Sequence, residues 1–159
     1  NANVQWFEYV LDDVKQLRLE DHELAECSLA AGDLVICEGG EPGRTAVCDE
    51  SVAGTVYQKA LHRSRPFGGI SPWYLAYLLR CDASSGRLAE LFTGATIKHL
   101  TGRSLASYVV PLPPLSEQHR IVAKVDELMG LIDRLEERLS AKVIAHDAFA
   151  AAAVHLLDA

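Results

Sequence analysis

The feature that most constrains this fold is a proline-rich stretch that leads into an uninterrupted helical pattern, PLPPLSEQHRIVAKV, at residues 111–125. Prolines hold the chain extended and cannot continue a helix, whereas Ser116 is a favourable N-cap and Glu117 suits the positive end of a helix. Gly130 is the only Gly or Pro between residues 117 and 157. The sequence therefore predicts a stiff elbow at 111–115 and a long helix over 116–159.

An apolar seam runs along this predicted helix with the alternating spacings of four and three that are typical of coiled coils. We expect a partner helix to contact the members of this seam, which are Ile121, Val125, Leu128, Ile132, Leu135 and Leu139. The helix would span about 60 Å, while roughly 110 preceding residues would form a globule about 30 to 35 Å across. Packing on its own domain can therefore account only for about the first three turns. The rest needs a helix from a second copy, from another half of the same protein or from a different subunit.

The preceding residues, 1–110, predict a small mixed domain that contains a hairpin. A buried strand at Leu34–Cys37 is followed by a glycine-rich turn at 39–43 and by a second strand from Thr45. In the stretch DHELAECSLAAGDLVICEGGEPGRTAV, a short helical turn is predicted before the first of these strands. The sequence therefore predicts one compact domain over 1–110.

Two helices are predicted after this hairpin along the chain. Ser71 is a favourable N-cap and Pro72 is suited to the first helical position, so SPWYLAYLLRC predicts a helix, which is apolar nearly all round and hence buried. GRLAELF predicts a second short helix. The fold class is therefore α+β, with a small mixed α/β domain followed by one long C-terminal helix that forms a coiled-coil arm.

The charge is uneven along the chain. The net charge of −7 argues against nucleic acid as a partner, but residues 59–103 carry seven Lys or Arg against two Asp or Glu. A strand predicted from Val56 to Arg65 places Lys59, Arg63 and Arg65 on one face. Taken alone, such a face also suits a solvated or protected sheet edge.

The loop TGATIKHLTGRSL, at residues 93–105, is the best local candidate for DNA contact. Glycines let the backbone approach a ligand closely, and Thr, Lys and Arg side chains can contact phosphates or base edges. An ordinary surface loop has a similar composition. The candidate DNA-contacting residues are Lys59, His62, Arg63, Arg65, Thr96, Lys98, His99 and Arg103.

The sequence predicts no catalytic residue, no metal ligand and no cofactor. Its four cysteines form no CxxC pair and are expected to be small buried residues, Cys37 above all. Methyltransferase NPPY-type, GxSxG and HExxH motifs are absent from the sequence. The stretch EGGEPGRT lacks phosphate-loop spacing, and its Glu38 and Glu41 would repel a phosphate. Because no apolar run approaches about eighteen residues and no signal-peptide pattern opens the chain, a cytoplasmic protein is expected.

Five stretches carry a family resemblance: GDLVICEGGEPGRTAV, YQKALHRSRP, SPWYLAYLLR, FTGATIKHLTGRSL and VPLPPLSEQHRIVAKVDELMGLIDRLEERL. Together they resemble the specificity subunit of type I restriction-modification systems, and the proline-rich stretch is the most specific of them. The resemblance implies two target-recognition domains, each followed by a long helix, with the two helices packed antiparallel as a spacer between two half-sites in DNA. A helix of about 60 Å would separate the half-sites by one to two DNA turns of about 34 Å.

The resemblance also implies partners, namely double-stranded DNA, two modification subunits that methylate adenine with S-adenosylmethionine, and restriction subunits that use ATP. Only one reading domain and one helix are present, and the domain begins late. We therefore expect a C-terminal piece of the subunit or, alternatively, a natural half-subunit that pairs with itself. The favoured hypothesis is a non-catalytic module that reads one half of a bipartite target and docks modification subunits through its helix. The alternatives are a coiled-coil assembly adaptor whose globular domain binds protein and, last, an enzyme that acts on DNA by itself.

Overall fold

A three-stranded antiparallel sheet organises the N-terminal part of the computed structural model, which describes residues 1–58 and 60–157, with the side chains of all of these except residues 21 and 147–157. The strands are β1 (Leu34–Cys37), β2 (Thr45–Val47) and β3 (Leu61–Ser64), and β1 lies in the centre. Leu34 pairs with Val47 on one side and with Ser64 on the other. The predicted hairpin is confirmed as β1 and β2.

Four helices accompany the sheet: α1 (Asp21–Cys27), α2 (Pro72–Ser85), α3 (Gly102–Ala106) and α4 (Leu115–Leu157). One turn of 3-10 helix, Arg87–Leu91, follows α2. The predicted start of α2 is confirmed, since Pro72 is its first residue and the Ser71 hydroxyl accepts the Tyr74 amide at 3.3 Å. The α+β class is likewise confirmed. Of the helices described, none combines the length and the apolar character that a membrane span requires.

Both faces of the sheet are buried, because alternate residues of β1 enter two different clusters. Val35 and Cys37 pack with Val4, Leu29, Ala46, Cys48 and Val52 on one face. Leu34 and Ile36 pack on the other face with Val47 of β2, Ala76 and Leu79 of α2, and Leu88 and Leu100. This two-sided burial explains why β1 is a continuous apolar run rather than an alternating one.

The chain divides into two compact units, of which the first spans Asn1–His119 and the second begins at Arg120. The first unit holds the sheet, α1 to α3 and the first turn of α4. The second unit is made of the remainder of α4, which continues as one helix to Leu157. The uninterrupted helix is therefore confirmed over Leu115–Leu157.

The predicted strand from Val56 to Arg65 is wrong in length, because only Leu61–Ser64 joins the sheet. Val56 instead forms an isolated bridge with Ser28, and the Tyr57 amide donates to the Cys27 carbonyl at 3.1 Å. The backbone then turns, with the Leu61 amide donating to the Gln58 carbonyl at 2.9 Å. Competing partners after α1 thus remove the first half of the predicted strand from the ladder.

The connection into α4 also differs from the prediction. The Pro114 carbonyl accepts the amides of Glu117 at 2.8 Å and Gln118 at 3.1 Å, so the helix begins at Leu115 rather than after Ser116. Residues 108–110, which precede the elbow, have no regular structure. Prolines lack a backbone donor, and this segment is held by side chains instead of by a ladder.

Helix α2 is buried along one side only, although its composition predicted burial all round. Its buried residues are Tyr74, Ala76, Leu79 and Asp82, whereas Trp73 is 37% exposed. The cysteines divide in the same way: Cys37 and Cys48 are buried as expected, and Cys81 of α2 is exposed. Within the described residues, no group of three or more His, Cys, Asp or Glu side chains could hold a metal ion.

Candidate DNA-contact surface

Arg65, a predicted DNA contact just after β3, is held by a buried carboxylate. Its Nε and Nη2 atoms donate to the two Asp33 oxygens at 2.6 and 2.7 Å, and the Ala30 amide donates to the same carboxylate at 2.8 Å. The Asp33 side chain is 1% exposed and that of Arg65 is 55% exposed. The Nε–Nη2 edge of the guanidinium is therefore occupied, while its outer part faces solvent.

The surroundings of Asp33 favour its ionised form. Burial by itself would raise the pKa of this carboxyl, but the hydrogen bonds from Arg65 and from the Ala30 amide outweigh burial and hold the pKa below its ordinary value. The same pairing raises the pKa of Arg65. The pair is thus charged at neutral pH and ties the end of β3 to the turn before β1.

The other predicted contacts on β3 also have partners within the protein. Arg63 donates through Nη1 to the Ser28 carbonyl at 2.6 Å and stacks over the Tyr57 ring at 5.6 Å. His62 contacts the Leu100 carbonyl through Nε2 at 2.7 Å. Lys59, predicted on the same face, lies outside the described residues. The structure therefore does not present Arg63 and Arg65 as a free row of cations.

The loop predicted to contact DNA is a tight turn closed by Thr93 and His99, whose backbones exchange hydrogen bonds of 2.8 and 2.9 Å. Gly94 has φ 93°, and a Cβ there would lie 2.1 Å from the Ile97 carbonyl oxygen, so the turn requires glycine. Thr96, Ile97 and Lys98 are exposed at its tip. Lys98 donates to the Gly94 carbonyl at 2.9 Å, which orders its ammonium without burying it.

The base of this turn is anchored to the sheet. Leu100 is fully buried, and its amide donates to the Glu38 carbonyl at 2.8 Å. The His99 ring lies against Gly39, where an added Cβ would be 3.1 Å away. Thr101 then caps α3, which carries Arg103 exposed to solvent. The predicted polar loop thus includes a short helix.

Of the predicted contacts, His62 and the loop are brought together. His62 bonds to Leu100, and a Cβ on Gly102 would lie 3.7 Å from its ring. Arg63 and Arg65 are instead drawn toward Ser28 and Asp33. The exposed part of the predicted set is therefore the turn and the start of α3, with Thr96, Lys98 and Arg103 at its surface, together with the outer part of Arg65.

Sequence reasoning missed a cluster of aromatic rings in the first unit. Phe7 lies 5.0 Å from the Tyr77 ring and 6.5 Å from the Trp73 ring, and Arg80 stacks over Trp6 at 4.8 Å. Phe7 has a positive φ of 70°, which is uncommon for a residue with a side chain. The adjacent aromatics in WFEY and the spacing of four between Trp73 and Tyr77 were the available signals.

The predicted seam on α4 is described for all six of its members. Ile121 and Val125 are half-buried, whereas Leu128 and Ile132 are each 47% exposed. Leu135 and Leu139 are more than half exposed. The second unit therefore carries an apolar row whose exposure increases toward its C-terminal part.

Comparison with known proteins places this arrangement in a family. Residues 23–144, from α1 well into α4, match the family model described as the type I restriction modification DNA specificity domain. The chain belongs to this family. The match confirms the family resemblance that the five stretches indicated.

Relatives of the domain carry the corresponding names. The chain is 31% identical over 113 residues to the type I restriction enzyme EcoBI specificity subunit of Escherichia coli, across 67% of the chain and 22% of that subunit. It is 25% identical over 135 residues to the EcoKI specificity subunit of E. coli K12, across 81% of the chain and 29% of that subunit. It therefore spans less than a third of either relative.

A solved structure agrees with these relatives. In work on the complex assembly and conformational transition of the type I R-M system, one chain superimposes with a TM-score of 0.57 and 28% identity, across 69% of this chain and 26% of that one. Both fold and sequence thus relate this DNA specificity domain to proteins of type I restriction-modification systems.

Proposed function

We propose that this chain is a non-catalytic DNA sequence-specificity module of a type I restriction-modification complex and that it reads one half of a bipartite target. The match to the DNA specificity domain across residues 23–144 carries this proposal, because it covers the sheet, α2, the exposed turn and much of α4. The domain organisation follows: residues 1–110 read DNA, residues 111–115 form the elbow and residues 116–159 form the spacer.

Double-stranded DNA is the proposed ligand of the first unit. The exposed turn and α3 present Thr96, Lys98 and Arg103 to the DNA. His99, whose ring lies against Gly39, and His62, which contacts the Leu100 carbonyl, hold the base of the turn. Arg63 is held by a carbonyl and Arg65 by a carboxylate. We assign both to contacts with the DNA phosphate backbone, which position a protein on DNA without reading its sequence. Lys59 remains a predicted contact.

The long helix is the proposed docking element. Its 43 residues would span about 65 Å. Such a length suits a coiled-coil spacer that sets the distance between half-sites, docks modification subunits and, through them, restriction subunits. The exposed seam supports this use, because an apolar row on a helix is stabilised by a partner helix.

DNA affinity is expected to be salt-dependent through the exposed turn. Each phosphate contact contributes roughly one unit to the slope of log K against log salt, so replacing Lys98 and Arg103 with Ala should flatten that slope by up to about two units. The measurement is a titration of a labelled duplex at several salt concentrations. The control carries Arg134→Ala and Arg138→Ala, which remove the same charge from exposed positions on α4. Equal slopes for both variants would place the DNA surface elsewhere.

The chain by itself is expected to bind neither S-adenosylmethionine nor ATP and to methylate and cleave nothing. Combined with a cognate modification subunit and an intact first half of a specificity subunit, it should restore adenine methylation of a two-part target. Calorimetry would measure cofactor binding, and radiolabelled methyl transfer would measure activity. Tight S-adenosylmethionine binding or methyl transfer by the isolated chain would contradict the non-catalytic proposal.

A protein-binding adaptor is the second candidate, and the aromatic cluster of the first unit favours it. Trp, Tyr, Phe and Arg side chains are enriched in protein interfaces, and this cluster combines Trp6, Phe7, Trp73, Tyr77 and Arg80. The acidic net charge of −7 points the same way. The salt titration separates the two candidates, since an adaptor would show no salt-dependent affinity for the duplex.

A further inference from the structure

The segment between α3 and α4 is tied to α2 at both ends of that helix. At the C-terminal end of α2, Arg87 donates to the Val109 carbonyl at 3.0 Å, and the Tyr108 hydroxyl donates to Asp82. Near the N-terminal end, the Tyr74 hydroxyl donates to the Pro111 carbonyl at 2.7 Å. The segment therefore runs along α2 in the opposite direction, and these hydrogen bonds hold the elbow against α2.

Gln118, in the first turn of α4, adds two hydrogen bonds to this connection. Its Nε2 atom donates to the Pro113 carbonyl at 2.9 Å, and its Oε1 atom accepts the Ser71 amide at 3.1 Å. The side chain is only 4% exposed. The buried side-chain amide of Gln118 thus links the first turn of α4 to the elbow through its nitrogen and to the N-cap of α2 through its oxygen.

A glycine before α2 allows the first residue of α4 to approach this junction closely. Ser71 and Tyr74 are themselves buried, and Gly69, two residues before Ser71, has φ 79°. A Cβ on Gly69 would meet the Leu115 side chain at 3.2 Å, so the approach of the first α4 residue favours glycine there. Prolines leave the elbow carbonyls without a ladder, and Tyr74 and Gln118 supply the missing donors.

We propose that Gln118 is the positioning residue of the elbow: by joining Ser71, the N-cap of α2, to Pro113, it holds the first turn of α4 in place within the first unit, so that the complex tolerates only one spacing between its half-sites. This inference rests on the proposed function and deepens it. A flexible elbow would let a reader shift along DNA by a base pair, whereas a seated helix makes such a shift costly. Gln118 acts through backbone groups and touches no DNA.

The test uses the assembled complex and two-part targets whose spacer is natural, one base pair shorter or one base pair longer. Gln118→Ala removes both buried hydrogen bonds of this side chain, each worth up to about ten-fold, so the preference for the natural spacer should fall by about ten-fold or more while methylation of the natural target changes little. Ser116→Ala is the matched control, because Ser116 lies exposed in the same turn. A purely structural role would lower methylation of all three targets alike.

Two further variants keep the test decisive if Gln118→Ala fails to fold. Tyr74→Phe removes only the hydroxyl that binds Pro111, and Gln118→Glu keeps an acceptor for Ser71 but loses the donor to Pro113. Both should weaken spacer preference in the same direction. If the folded variants keep the parent's preference, the positioning role is overturned although the reading function stands. A parent complex that methylates without any sequence preference would instead overturn the proposed function. In that case hydrogen exchange at the Ser71 amide still tests the hydrogen bond to Gln118, because this exchange is expected to accelerate in Gln118→Ala.

Discussion

Replacing Leu128 and Leu135 with Asp is expected to abolish association through α4. The two leucines are 47% and 57% exposed in the single chain, so a partner helix would bury them. An unpaired carboxylate in such a seam costs about 3 to 5 kcal/mol, which weakens association more than about a hundred-fold. The isolated parent should self-associate at about 100 µM, a concentration at which even micromolar dissociation constants give complexes. Sedimentation equilibrium measures both states.

A charge-matched control separates the seam from net charge. Ser140→Asp with Ala141→Asp adds the same two carboxylates at exposed positions of α4 that lie off the seam. This variant should associate as the parent does. A monomeric parent at the same concentration would refute the coiled-coil arm for this chain, and a monomeric control would attribute the effect to charge.

Asp33→Ala is expected to destabilise the first unit by about 1 to 3 kcal/mol, since it leaves the Ala30 amide without its acceptor and removes the partner of Arg65. Solvent at the exposed guanidinium screens the ion pair and keeps the loss toward the lower end. Chemical denaturation followed by far-ultraviolet circular dichroism measures this. Arg65→Ala should destabilise in the same direction, and Arg103→Ala, on exposed α3, should have little effect.

The pH dependence of this effect has a defined sign. The pKa of Asp33 is lower in the folded protein than its ordinary value, so its contribution to stability is complete above the unfolded pKa of about 3.9 and is lost as pH falls through the folded pKa. The difference between the parent and Asp33→Ala should therefore be constant near neutral pH and disappear in acid. A difference that grew in acid would contradict the assigned ion pair.

The same variants distinguish support from recognition. If Arg65 also contacts DNA, its loss should weaken binding to all sequences where it touches phosphate, or relax one half-site by about 1 to 3 kcal/mol where it reads guanine. Binding must be compared at a temperature where every variant is folded. Unchanged binding would leave Arg65 with the structural role that its contact to Asp33 supplies.

Local patterns were sufficient for several elements. Ser71 followed by Pro72 marked the start of α2, the apolar run at Leu34–Cys37 marked the central strand, and the absence of breakers marked α4. Each of these signals lies within a few neighbouring residues, where backbone sterics and capping are decided. The family resemblance was confirmed for the same reason, since its stretches are continuous in sequence.

Non-local pairings escaped prediction. The strand after Val56 was shortened because Ser28 and Cys27 compete for its backbone, and no local signal reports that competition. The cations of β3 formed a row by alternation, yet Arg65 is drawn to Asp33, 32 positions earlier. Trp73 looked like a core residue by composition and is partly exposed, because only one side of α2 faces the sheet.

The sequence by itself determined the class of fold, the hairpin, the long helix and the family, since propensity, periodicity and motif are properties of adjacent residues. Only the tertiary structure decided which polar groups are free to act. Gln118 meets Ser71 across 47 positions and Tyr74 meets Pro111 across 37, and these meetings exist only after the chain has folded. The physical reason is that a buried polar group must find a partner wherever packing brings one, and packing is a property of the whole first unit.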